Sequence, residues 1–121
     1  IISAAPHVFV SSAGPTLSID EKQIFGIAVA VNADGTLTDR VIEPIPYAEG
    51  KAKRLSMIVD QEKARSKKPV YVLAAFGNSY HTDSKFLLWT LSQKLPAGKP
   101  TSVMINGGTA PSDLSLSLIH I

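Results

Sequence analysis

The chain has 121 residues, enough for one small domain. Hydrophobic residues make up 45% and charged residues 18%, which argues against wholesale disorder. A formal net charge of +2 is too small to point to nucleic acid, and the absence of cysteine excludes disulfides, thiol nucleophiles and cysteine-based zinc sites.

Ile1-Ile2 reads as the tail of a buried strand ending at Ser3. Pro6 suits the first turn of a helix, where its missing N–H costs nothing. That helix carries Val8, Phe9 and Ala13 and is expected to stop at Gly14-Pro15. Residues 24–31 form an apolar run with β-branched members, hence a strand. Asn32-Ala33-Asp34-Gly35 is a turn signal, and residues 36–42 alternate as the partner strand of a hairpin. Pro44 and Pro46 end it.

Residues 51–67 turn helical, with Leu55, Ile58, Val59 and Glu62 on or beside one face. Residues 70–76 are unrelieved apolar sequence, as expected of a central parallel strand covered on both faces. The run is far short of the roughly 20 residues that cross a bilayer, so no membrane segment is expected. A helix begins near Thr82 or Asp83 with Leu87, Leu88, Leu91 and Leu95 as its stripe, and residues 102–105 form a last short strand before Asn106-Gly107-Gly108. Strands alternating with helices predict an α/β fold, a Rossmann-like three-layer sandwich with a mostly parallel sheet and one β-hairpin.

The opening Ile1-Ile2-Ser3, without Met, reads as a cut inside a strand, so the chain is expected to be a piece of a longer protein and its compartment stays open. Leu116-Ser117-Leu118-Ile119-His120-Ile121 resembles the translation of a transposon-end adapter used in sequencing libraries. Residues 1–110 are therefore taken as the core, residues 111–121 as a tail, and residues 116–121 are set outside the fold.

Ligands of open parallel sheets sit beyond the C-terminal ends of the strands. Ser3 follows the first strand, Asn78, Ser79, Thr82 and Asp83 follow the strand at 70–76, and Lys51 opens the long helix. A hydroxyl and an ammonium suit phosphate oxygens, and a carboxylate suits a hard cation such as Mg²⁺.

Three stretches carry a resemblance, in chain order. Residues 1–10 (IISAAPHVFV), 47–52 (YAEGKA) and 76–83 (FGNSYHTD) resemble the second, third and fourth motifs of the haloacid dehalogenase-like (HAD) superfamily, in its phosphoserine phosphatase-like and phosphorylcholine phosphatase-like branch. The resemblance covers residues 1–108 and implies a partial HAD core. It implies a Mg²⁺-dependent phosphatase that hydrolyses a small phosphomonoester through an aspartyl-phosphate. Ser3 and Lys51 would be catalytic, holding a phosphoryl oxygen and offsetting its charge. Asp83 and Asn78 would serve the metal, and Ser79, Tyr80 and His81 would lie near the substrate. Fixed donors and a cation stabilise charge building on the phosphoryl oxygens.

Two departures stand out. The family's D-x-D motif is absent, since Asp20, Asp34, Asp39 and Asp60 each lack a second Asp two residues on. The nucleophile is then expected before Ile1, and this chain alone is expected to be inactive. Asn78 also stands where many members have Asp, so it adds no charge to a metal site.

Each residue has a plainer role. Ser3 could cap a helix. Lys51 could be one charge of a basic, water-facing helix on which Lys53 is the runner-up. Asp83 could favour a helix dipole, and Asn78 and Ser79 could be turn residues. Tyr80 and His81 could be ordinary loop residues. A non-catalytic anion- or ligand-binding domain with a similar sheet is the alternative function. A nucleic-acid module on residues 51–68 lacks interleaved aromatics.

Overall fold

The structure, a computed structural model, describes residues 1–105 and 119–120. Among these the fold is α/β, with small parallel and antiparallel sheets and no closed barrel. Among the described residues no helix is long and apolar enough to cross a membrane. The expected loop at residues 106–108 and most of the tail lie outside the described residues.

Strand β1 (Ile2–Pro6) runs past Ser3 and pairs parallel with β2 (Phe25–Ile27). Between them lie α1 (His7–Ser12) and α2 (Gly14–Leu17). Gly14-Pro15 does not end the helical segment but starts its second turn, because proline fits the first turn of a helix as readily as it ends one. The apolar run at 24–31 is not one strand. It breaks at Ala28 into β2 and β3 (Val29–Val31), and β3 leaves the parallel pair to form a hairpin with β4 (Leu37–Val41). Gly35, at φ 86°, makes the turn between them.

Helix α3 (Glu49–Ser66) buries Lys51 and Val59 and turns Ala52 and Leu55 toward the core. Strand β5 (Ala74–Gly77) is shorter than the apolar run predicts, and it is not covered on both faces: Ala75 is buried, but Leu73 and Phe76 are 68% and 62% exposed. It pairs parallel with β6 (Thr101–Met104), which in turn pairs with β7 (Ile119–His120). The backbone of two residues assigned to the adapter-like tail is thus a strand.

Helix α4 (Tyr80–Leu91) starts two to three residues earlier than expected and ends before Leu95. Its buried residues, Tyr80, Asp83, Ser84, Phe86, Leu87 and Thr90, recur at helical steps but include four polar-capable side chains. Two buried hydroxyls are satisfied: Thr90 Oγ1 donates to the Phe86 carbonyl at 3.0 Å, and Ser102 Oγ to the Leu87 carbonyl at 2.8 Å. The core is Ala75, Tyr80, Phe86, Leu87 and Met104, so α4 packs on β5 and β6 and against α3.

Candidate functional site

The start of α3 is fixed by backbone contact. A Cβ on Gly50 would lie 1.7 Å from the Ile45 carbonyl oxygen, closer than any side chain permits. Ala48, just before the helix, sits at φ 46°, a backbone conformation that costs a non-glycine residue energy. Lys51 therefore leaves the first turn in a set direction and points inward, 6% exposed. Lys53 does not share this place: it is exposed and pairs with Glu49 at 3.5 Å.

The loop after β5 meets α4 at Asp83. Ser79 is the N-cap of α4, and its Oγ accepts from Thr82 N at 3.4 Å. Gly77 allows a close approach, since a Cβ there would stand 2.6 Å from Asp83 Cβ. The Asp83 carboxylate is 2% exposed and engaged on both oxygens. Oδ2 accepts from the Asn78 and Ser79 amides at 2.8 and 3.1 Å. Oδ1 accepts from Lys51 Nζ and from Thr82 Oγ1 at 3.2 Å. The ammonium also lies 5.9 Å from the centre of the Phe86 ring.

Burial pushes the Asp83 carboxyl upward, yet the hydrogen bond from Lys51, the two loop amides and the Lys51 charge outweigh it. The carboxyl therefore sits below its usual value.

These groups line a cleft of about 340 Å³ together with Ile1, Ile2, Ser3, Phe76, Asn78 and Ile105. The structure thus brings Ser3, Lys51, Asn78 and Asp83 to one place beside the start of β1 and the C-terminal end of β5, so Ser3 does not follow its strand as expected but lies within it. Ser3 caps no helix: α1 begins after Pro6 without a side-chain cap. Its Oγ accepts from Ala5 N at 3.1 Å. Among the described residues its hydroxyl hydrogen has no acceptor, so it is free to donate to a ligand.

Ser79, Tyr80 and His81 do not line this cleft. Ser79 caps α4, Tyr80 is buried in the core, and His81 is exposed on the first turn of α4. Two contributions escaped sequence reading: the close approach at Gly77, and Phe86. The last lies one helical step beyond Asp83, the one signal that places it on the same face.

A magnesium site is a poor fit to these residues as folded. A carboxylate offers about four acceptor positions, and Asp83 has four donors on it already. Among the described residues no three His, Cys, Asp or Glu side chains cluster as metal ligands. Among the described residues lining the cleft, the other side-chain oxygens are those of Ser3 and Asn78, both neutral, and two neutral ligands without a free carboxylate suit a hard dication poorly.

Compared with protein-family models, curated proteins and solved structures, the chain finds no match in any of the three.

Proposed function

We propose that this cleft is the phosphoryl-binding half of a HAD-like phosphomonoester hydrolase built on a Rossmann-like three-layer core. The observation that carries the reading is the convergence of Ser3, Lys51 and the loop at Gly77 and Asn78 on one small cleft from three distant parts of the chain. In this reading Ser3 Oγ donates to a phosphoryl oxygen, and Lys51 Nζ supplies the positive charge. Asp83 orients Lys51 and draws the amides of the loop into place. It acts as a positioning residue, because all its acceptor positions are used within the protein. Charge that builds on a phosphoryl group then meets donors already fixed in direction.

The parallel pairs β1–β2 and β5–β6, with α3 and α4 packed beside them, support the Rossmann-like core. The nucleophilic aspartate and the oxygen ligands for Mg²⁺ lie, in this proposal, on a strand preceding Ile1. Among the described residues Asp83 is the one carboxylate lining the cleft, and it is committed.

A second reading is a metal-independent anion site without catalysis, favoured by the saturation of Asp83. One titration tests both readings together, and the preceding coding sequence separates them from each other. Inorganic phosphate added to the chain should shift the amide resonances of Asn78 and Ser79, and Lys51→Met should abolish the shift. No shift, or one indifferent to Lys51, overturns both readings. Two aspartates spaced one residue apart after an apolar strand, in the coding sequence before Ile1, select the enzyme. Their absence selects the binder.

A further inference from the structure

Helix α3 carries five cations, and four of them have a carboxylate partner. Lys51 meets Asp83, Lys53 meets Glu49, Lys63 meets Asp60 and Arg65 meets Glu62. Arg54 is the exception among the described residues. Its one hydrogen bond runs from Nη2 to the Pro44 carbonyl at 3.0 Å, and its Nε–H is closed to water without an acceptor. Glu43, next to Pro44 in sequence, turns a carboxylate oxygen onto the Ile45 amide at 2.9 Å instead. A guanidinium has five N–H groups, so most of the capacity of Arg54 is unspent.

The same side chain borders a cavity of about 280 Å³ at the joint between β2 and β3. Ile24, Phe25 and Ile42 give it apolar walls, and His7 is the other side chain there with polar atoms. Ile42 N donates to the Ala28 carbonyl at 2.8 Å, which fixes the foot of the β3–β4 hairpin at this joint. His7 Nε2 stands 3.9 Å from Glu21 Oε1, outside hydrogen-bond reach. Among the described residues no Asp or Glu side chain lines the cavity, and it shares no lining residue with the cleft at Ser3 and Lys51. A part-buried cation with no counter-charge is costly, and an anion that reaches it offsets that cost.

We infer that this cavity binds a small aliphatic monocarboxylate, its carboxylate on the Arg54 guanidinium and its hydrocarbon tail against Ile24, Phe25 and Ile42. Three observations select that ligand. The planar guanidinium matches a planar carboxylate through paired N–H groups. The walls are apolar, which favours a hydrocarbon tail over a sugar or a second charge. The cavity lies at the small end of ligand sites, which span roughly 300–1,000 Å³, so it takes a short free acid in place of a peptide. The inference concerns Arg54 and does not depend on phosphate chemistry.

The test is titration of the whole chain with acetate, propionate and butyrate, followed by NMR at the Arg54 Nε–H and the Gly26 and Ala28 amides. All three acids should shift these resonances, and affinity should rise roughly fourfold with each added methylene. Butylammonium, with the same tail and the opposite charge, should shift none of them. Arg54→Gln should abolish binding, and Arg54→Lys, which keeps the charge but loses the fork, should weaken it roughly tenfold. No shift, affinity indifferent to tail length, or equal shifts with butylammonium overturns the inference, and none of these outcomes needs a variant to fold. Acetyl-trialanine, whose carboxylate ends a peptide, should leave the resonances unmoved; equal shifts would assign the cavity to a chain terminus and overturn the free acid. Asn78 and Ser79 report the phosphoryl cleft in the same spectra, so one reading can fail while the other stands. Shifts by the acids confined to those two residues also overturn the inference.

Discussion

Lys51 and Asp83 meet inside the protein although 32 positions separate them, each nearly closed to water. The pair joins the first turn of α3 to the first turn of α4. It is not symmetric, because Asp83 also holds the Asn78 and Ser79 amides, whereas among the described residues Lys51 has Asp83 and the Phe86 ring.

That asymmetry gives the first prediction. Breaking a buried pair costs about 3–5 kcal/mol, because one charge is left uncompensated. Lys51→Met should fall in that range in urea unfolding, and Asp83→Leu should cost more. Combining the two should recover only part of the loss, since the two loop amides remain without an acceptor. Full recovery in the double variant would show that the amide bonds to Asp83 contribute nothing.

Acid should act through the same carboxylate. The folded value of Asp83 is lowered, so its contribution is complete above the unfolded carboxylate value of about 3.9 and is lost as pH falls through the lowered value. Urea midpoints measured from about pH 5 downward should drop more steeply for the native chain than for Asp83→Asn. The exposed Asp34 and Glu62 also sit below their usual values, through bonds from Thr36 and Arg65, but both proteins share them. Parallel acid profiles would remove Asp83 as the source.

Two glycines should refuse alanine to different degrees. At Gly77 a Cβ would stand 2.6 Å from Asp83 Cβ, so the loop or the first turn of α4 has to move to admit it. Gly77→Ala should cost about 1–3 kcal/mol and weaken phosphate binding by moving the carboxylate. At Gly50 the obstacle is the Ile45 backbone, which cannot yield, so Gly50→Ala should leave little folded protein by circular dichroism. A stable Gly50→Ala protein with native unfolding would contradict the packing at the start of α3.

Ser79 separates cap from contact. Ser79→Ala removes the cap of α4 and should cost about 0.5–2 kcal/mol. It keeps the Ser79 amide and leaves the cleft lining untouched, so phosphate affinity should stay within twofold, roughly the scatter of such a comparison. A large loss of affinity with unchanged stability would place the Ser79 hydroxyl on the ligand.

Helix α3 was legible because Leu55 and Val59 repeat at four-residue steps, and the hairpin because Asn32–Gly35 is strong turn chemistry. The stripe of α4 was less so. Its buried face runs through Asp83, Ser84 and Thr90, whose polarity looks like a solvent face until their partners are known. The apolar run at residues 70–76 misleads for the opposite reason. Hydrophobicity there reflects an edge with an apolar slot beside it, and the run says nothing about whether both faces are covered. The break at Ala28 is likewise silent in sequence, since a strand that changes sheets keeps its apolar character. Lys51, Asn78 and Asp83 could be gathered on paper because each follows a strand or lies at a helix start, and Ser3 because the sequence sets it after a strand, although it lies inside β1. That Asp83 would be saturated was out of reach, as it depends on the Asn78 and Ser79 backbone and on a lysine 32 residues away.

Asp83 is one fastening with several things hung on it. Should the first turn of α4 lift away, the two loop amides and the Lys51 ammonium are released together, not in sequence. Helix start and loop thus form a single cooperative unit, and a local opening there presents one cation and two donors to water at the same instant.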